Sequence, residues 1–215
     1  MKYISEFIGS FFLVATVIGS GIMGVNMSDG NDGVALLGNT IATGAILFVI
    51  IKMFGSVSGA HFNPAVSMVF FLRKELDFKN LLTYIAYQML GGIFAVITIH
   101  YIFEIAIFQV STNIRGEIPL LVSEIIATMG LILTILFVRK YDASSVAIAV
   151  ALFITAGYWF TSSTSFANPM VTISRIFTDT FTGIAPASIP YFLGGQIIAI
   201  FIADFVYKRF EKANF

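Results

Sequence analysis

Six stretches of the chain read as uninterrupted apolar runs, at roughly 4–25, 37–54, 80–103, 119–138, 145–160 and 189–207. An α-helix needs about 20 apolar residues to cross a hydrocarbon core of about 30 Å, and five or six of these runs approach that length. All six are predicted to be membrane-spanning helices. Two intervening segments, Gly55 to Leu72 and Thr161 to Gly183, are moderately apolar, rich in small residues and too short to cross. They are predicted to dip into the membrane and return.

The polar positions within this pattern repeat. Ser5-Glu6-Phe7-Ile8-Gly9-Ser10 opens the first half and Ser123-Glu124-Ile125-Ile126-Ala127-Thr128 opens the second. Each half then carries Asn-Pro in its short segment, Asn63-Pro64-Ala65 and Asn168-Pro169-Met170. Each closes on a span with a glutamine among small residues, Gln88 with Gly91 and Gly92, and Gln196 with Ala199 and Ala203. A repeat of three spans, an odd number, places the halves in opposite orientation across the membrane. The units run approximately 1–103 and 119–210 of a single transmembrane domain covering 1–215.

Composition sharpens the class. The chain is 58% hydrophobic and 11% charged over 215 residues, a balance that makes the lipid bilayer its solvent. It has no cysteine and two histidines, which leaves no disulfide, a poor metal cage and no expected metal or cofactor. Its 12 basic and 12 acidic residues cancel, so no net field attracts nucleic acid. Lys2, Arg73, Lys74, Lys79, Arg139, Lys140, Lys208, Arg209 and Lys212 all fall on one side if both ends of the chain share it, and only Arg115 and Arg175 fall opposite. The positive-inside rule makes that side cytoplasmic. Lys2 ahead of an apolar run also resembles a cleavable signal, but the run is span-length and carries Glu6.

Asn followed by Pro starts helices: the Asn side chain caps free N–H groups, and Pro is pre-organised for the first turn. A lone Asn-Pro is as readily an ordinary turn. Two at equivalent places in an inverted repeat bring two half-helix N-termini together near the bilayer midplane, where their positive dipole ends repel cations and protons. Residues 58–62 and 164–167 then run without helix at membrane depth, which is tolerated only in a buried place or along a wet lumen. Carbonyls of these loops and the amides of Asn63 and Asn168 would form one polar stripe in an otherwise apolar pore, suited to small neutral solutes.

Glu6 and Glu124 are costly inside spans and demand a role. They could couple protons, or each could accept backbone N–H groups of a short segment and hold its loop. Their symmetric positions favour loop support. Gln88 and Gln196 divide between interhelical hydrogen bonding and solute contact, with packing preferred. His61 could gate, sense pH or ligate, and otherwise satisfies a loop carbonyl. His100, at an outer span end, has no specific role assigned.

Ser58-Gly59-Ala60-His61-Phe62-Asn63-Pro64-Ala65-Val66 resembles the first signature loop of the aquaporin and glycerol-facilitator family, and the likeness continues through the glutamate-bearing spans to the second Asn-Pro. The resemblance implies an all-α, right-handed bundle of six spans and two half-helices, a homotetramer with one pore per subunit, a passive non-enzymatic channel for water and small polyols, and no cofactor. Pore-midplane residues would be Asn63, Pro64, Ala65, Asn168, Pro169 and Met170. Water-selective members carry Asn-Pro-Ala-Arg at the second signature, whereas this chain has Met170 and Val171. Where they often carry an aromatic constriction residue, it has Thr43. A third constriction position falls near Ala156 or Gly157 and a fourth at Ser165 or Phe166. Small residues at these places predict a wide filter. Arg175, four residues past Val171, could reach back to supply the missing charge, or could pair with Asp179 or extend to the surface. The run Phe160 to Pro169 resembles a bacterial subgroup linked with arsenic detoxification, which adds neutral arsenic acids and methylated arsenicals to the candidate solutes and implies a bacterial inner membrane. The main alternative is an inverted-repeat secondary transporter, which would need a coupling site beyond the two glutamates.

Overall fold

The structure is a computed structural model describing residues 1–213. Eight α-helices form in the order α1 (Lys2–Met27), α2 (Asp32–Ser58), α3 (Pro64–Leu72), α4 (Phe78–Ile102), α5 (Ile118–Tyr141), α6 (Val146–Phe160), α7 (Pro169–Ser174) and α8 (Ile189–Lys212). Six of them, counting the 3-10 turns that lead into α6 and α8, are long and apolar enough to cross a membrane. The two that are not, α3 and α7, are the half-helices of the predicted short segments.

Packing follows the sequence repeat. Helix α1 lies along α2 and α4 as α5 lies along α6 and α8, and α2 closes the bundle against α6. Each half-helix also packs on a span of the other half, α3 on α8 and α7 on α4, and the two half-helices touch. Close approach is set by two equivalent glycines. A Cβ on Gly91 would stand 2.3 Å from Phe7 O, and one on Gly195 would stand 2.5 Å from Leu121 O, so any side chain there would force the paired helices apart.

The bundle is apolar outside, and inside it buries a set of polar side chains among its apolar core. Phe48, Leu90, Phe94, Leu152 and Phe201 face outward, as a lipid-exposed surface requires. Glu6, Glu124, Gln88, Gln196 and Asn39 are each at most 1% exposed.

Several helices run past the predicted spans. Helix α2 extends from Asp32 to Ser58 rather than 37–54, because Asn31 caps its start through Val34 N at 3.2 Å and Gly59, at φ 85°, ends it. Residues Gly55 to Ser58 therefore belong to that span and not to the short segment. Helix α8 continues through the basic tail to Lys212, past the hydrocarbon-length core at 189–207.

One face carries the start of α1 and the end of α8, and is called inner below. There Arg73 bonds Glu211 at 2.7 Å and Arg139 bonds Glu75 at 2.7 Å.

Candidate functional site: a lumen between two half-helices

Each half-helix begins with its own asparagine. Asn63 Oδ1 accepts from Ala65 N at 2.8 Å, and Asn168 Oδ1 accepts from Met170 N at 3.0 Å. The amide groups then cross between the halves: Asn63 Nδ2 donates to Ala167 O at 2.7 Å, and Asn168 Nδ2 donates to Phe62 O at 2.9 Å. An amide NH2 has two donors, so each asparagine keeps one hydrogen for a solute.

The loops ahead of the asparagines share an unusual backbone. Gly59, Ala60 and Phe62 have φ of 85°, 52° and 47°, and Thr164, Ser165 and Ala167 have 60°, 49° and 47°. Left-handed conformations cost about 1–2 kcal/mol for each residue with a side chain, so something must hold them. The glutamates do. Glu6 accepts Ser58 Oγ at 2.6 Å, His61 N at 3.0 Å, Phe62 N at 2.7 Å and Gln88 Nε2 at 2.8 Å. Glu124 accepts Phe166 N at 3.0 Å, Ala167 N at 2.9 Å and Gln196 Nε2 at 2.6 Å. Both carboxylates are occupied by loop donors, the geometry of the support reading. The glutamines bond between elements, Gln88 also reaching Ser67 Oγ at 3.0 Å and Gln196 reaching Thr172 Oγ1 at 2.9 Å.

A lumen runs between the two loops, lined by Asn63, Asn168, Val66 and Val171 and walled by apolar side chains such as Leu47, Leu131 and Ile154. About 80 Å³ of it admits the centre of a water-sized sphere, several times the roughly 10–15 Å³ that one water needs. Pro64, Ala65, Pro169 and Met170 do not line it. Ala65 packs into a side cluster with Ile132 and Ile200, and Met170, fully buried, sits where a Cβ on Gly92 would meet it. Of the six expected midplane residues, only the asparagines face the lumen.

At its outer end the lumen meets a vestibule, and the wall residues common to both are Tyr158 and Arg175. Tyr158 OH lies 3.1 Å from Thr43 Oγ1. Arg175 is 5% exposed, its Nε donates to Thr182 O, and its guanidinium carbon stands 3.6 Å from the Phe166 ring centroid. Thr43, Ser165, Phe166 and Val171 line the lumen below.

Three expectations are corrected here. The residue of α6 that lines the outer end of the lumen is Tyr158, and neither Ala156 nor Gly157 does. Ala156 is exposed on the outside of α6, and Gly157 backs onto Ser165, whose side chain a Cβ would meet at 2.6 Å. Arg175 does not pair with Asp179 or reach the surface. Helix α7 ends at Ser174, a 3-10 turn covers Arg175–Phe177 and Thr178 is extended, so no i,i+4 face exists. Asp179 instead accepts from Thr112 N at 2.8 Å. The outer end of the lumen consequently carries a tyrosine and an arginine in addition to the small residues expected there.

At the inner end the shared wall residues are Gly59, His61 and Phe70. His61 bonds Ser67 Oγ at 3.0 Å rather than a loop carbonyl, and its ring centroid is 4.5 Å from that of Phe70. His100 has a structural place that its sequence position hid. It is fully buried and joins Ile107 O to Thr178 Oγ1, both at 2.8 Å, so it ties the α4–α5 connection to the segment after α7.

Comparisons with known proteins agree with this architecture. The Major intrinsic protein family profile matches residues 1–143. An aquaglyceroporin of Rhizobium meliloti, AqpS, is 42% identical over 197 residues, 92% of this chain and 84% of that protein. Aquaporin NIP2-1 of Zea mays is 30% identical over 220 residues, 99% of this chain and 72% of that one. The solved aquaglyceroporin of Plasmodium falciparum shares the fold, with a TM-score of 0.73 at 22% identity over 97% of this chain and 93% of that chain. A six-span bundle enclosing two half-helices, with this degree of likeness along its length, identifies a multi-pass membrane channel: the chain belongs to the major intrinsic protein family.

Proposed function

We propose that the chain conducts small uncharged, hydroxyl-bearing solutes, water and glycerol-sized polyols, down their gradients and without coupling to an ion. The observation that carries this reading is the pair of asparagines whose amides cross between the halves inside an apolar lumen. A solute passing there exchanges its hydration for two fixed donors on one side and packs against hydrocarbon on the other. A cation meets two half-helix N-termini and then Arg175, and is disfavoured by both. Glu6 and Glu124 have no role in carrying protons, because their oxygens accept the loop N–H groups.

At the outer constriction the lining combines the Thr43 and Tyr158 hydroxyls and the Arg175 guanidinium with the apolar Phe166 and Val171. Such mixed chemistry suits a polyol, which carries hydroxyls on a hydrocarbon backbone. Neutral arsenic acids and methylated arsenicals share that size and neutrality and are secondary candidates. The basic inner face is cytoplasmic, and the outward apolar helix faces are those on which four copies would assemble.

Proteoliposome measurements test this directly. Glycerol and water should pass at rates that do not depend on a proton or sodium gradient, with no uphill accumulation. Gradient-driven accumulation of any solute would replace the channel reading with the transporter one.

A further inference from the structure

The outer vestibule is lined by two arginines, and among the described residues neither has a carboxylate within ion-pair distance. Arg175 is nine-tenths buried; apart from Nε, its nitrogens have no protein acceptor among the described residues. Arg115, half-buried on the α4–α5 connection, donates to Ser162 O at 2.9 Å and to Thr164 Oγ1 at 3.5 Å. Both guanidinium groups bank against one ring, their central carbons 3.6 and 5.7 Å from the Phe166 centroid. Both also line the same vestibule, beside Tyr158, Thr164, Asn39 and Asn113.

Glu124 attracts both from behind the loop, but no described carboxylate pairs with either directly. Glu124 lies behind the loop with its oxygens taken by Phe166 N, Ala167 N and Gln196. Asp179 is held by Thr112, and Asp32, on the vestibule wall, is within ion-pair distance of neither arginine. Two like charges in a partly dehydrated recess repel, and an anion between them relieves that repulsion. The planar guanidinium fork matches oxyanions in particular, because it can present paired N–H groups to two oxygens at once. About 320 Å³ of the vestibule admits a water-sized sphere's centre, ample for an anion that keeps part of its hydration.

We propose that the outer vestibule is a binding site for a small tetrahedral oxyanion of the phosphate or sulfate type, held by Arg175 and Arg115, and that the bound anion plugs the pore. The ion stops there. Below Arg175 and Tyr158 the walls are mostly apolar, and a charge entering them would lose its water without gaining comparable partners. Since Arg175 forms the wall common to vestibule and lumen, an anion resting on it occupies the solute's path.

The plugging half of this proposal rests on the channel reading, and the binding half does not. In oriented proteoliposomes, phosphate or sulfate on the vestibule side should reduce glycerol flux severalfold and saturably, while chloride at matched ionic strength and the same oxyanions on the inner side should not. With each variant normalised to its own anion-free flux, Arg115→Gln should raise the half-inhibiting concentration about tenfold. Arg115→Lys, which keeps the charge but loses the fork, should fall between. In parallel, phosphate should raise the melting temperature of detergent-solubilised wild type in a saturable way and raise that of Arg115→Gln much less. If glycerol does not pass at all, the channel reading fails while the melting shift still reports the site. Equal inhibition and equal melting shifts in wild type and Arg115→Gln would overturn the site, and one-sided binding without loss of flux would overturn the plug.

Discussion

The two ends of the lumen are built on equivalent positions and filled with different chemistry. Two residues before the asparagine stands His61 in the first half and Phe166 in the second; seven residues after it stands Phe70 or Arg175. In both halves these two side chains meet across the loop, His61 on Phe70 with ring centroids 4.5 Å apart, and Arg175 over Phe166 at 3.6 Å. Each phenylalanine also carries an arginine from elsewhere in the chain, Arg139 at 4.6 Å from Phe70 and Arg115 at 5.7 Å from Phe166. At the inner end that arginine is neutralised by Glu75. At the outer end neither arginine has a carboxylate within 4 Å among the described residues. An inverted backbone thus gives the pore a symmetric centre, and side-chain choice pairs the arginine with a carboxylate at one mouth and leaves both arginines without one at the other.

Lysine substitution at the centre should have the largest effect and the most symmetric one. Asn63→Lys and Asn168→Lys each place a cation where two dipoles converge and remove a helix cap, so both should lower solute flux at least about a hundredfold. Stopped-flow light scattering reads this, and normal flux through either variant would show that the halves do not share one centre.

The ends should then diverge. Arg175→Ala should raise proton or small-cation leak about tenfold or more, worth about 1.4 kcal/mol of lost exclusion, and should change glycerol flux by less than it changes the leak. Phe70→Ala, at the matching inner position, should leave leak unchanged. A fluorescent pH probe inside the vesicles measures both, and equal leaks would erase the distinction between the mouths.

Tyr158→Phe removes only the hydroxyl shared with Thr43. One neutral hydrogen bond is worth about 0.5–1.5 kcal/mol, so glycerol flux should change a fewfold and water flux less. No change in the ratio of the two would remove Tyr158 from selection.

The smallest effect belongs to the inner ion pairs. The hydrogen bond from Arg139 holds the Glu75 carboxyl below its ordinary range, and that from Arg73 does the same for Glu211. Groups depressed in the folded state contribute stability above the ordinary carboxylate range and lose it as pH falls through their lowered values. Because both are partly exposed, the loss should be under about 1 kcal/mol. The melting temperature of Glu75→Gln should therefore fall less than that of wild type between pH 7 and pH 4.

Much of this was legible from the chain. The six spans follow from apolar run length, and the half-helices from two Asn-Pro pairs in matching places. Glutamate support of the loops followed from the symmetry of Glu6 and Glu124, since a coupling site has no reason to occur twice. What escaped depended on local backbone geometry. Tyr158 was missed because α6 ends at Phe160 and a turn follows before the loop begins at Thr164, which defeats counting back from Asn168. A polar-tipped aromatic in an otherwise apolar span was the available signal. Arg175 was left open between reaching back to the constriction and pairing with Asp179 or extending to the surface; the 3-10 turn removes the pairing. Aligning the two loops residue by residue, with Phe70 opposite Arg175, would have favoured the lumen. His100 was opaque because its partners, Ile107 and Thr178, lie on separate connections.

The crossed asparagine bonds also impose an order on biosynthesis. They join residues 104 and 106 positions apart, which at roughly 5–20 residues per second separates their appearance from the ribosome by about 5–20 s. Throughout that interval the first half can be inserted, yet the Phe62 carbonyl lacks the donor and the Asn63 amide lacks the acceptor that the second half brings. A polar loop left open in hydrocarbon is the least stable part of such an intermediate. The nascent chain must therefore keep that loop wet or sheltered until residue 168 arrives, and the aqueous path exists only once the last two helices have joined.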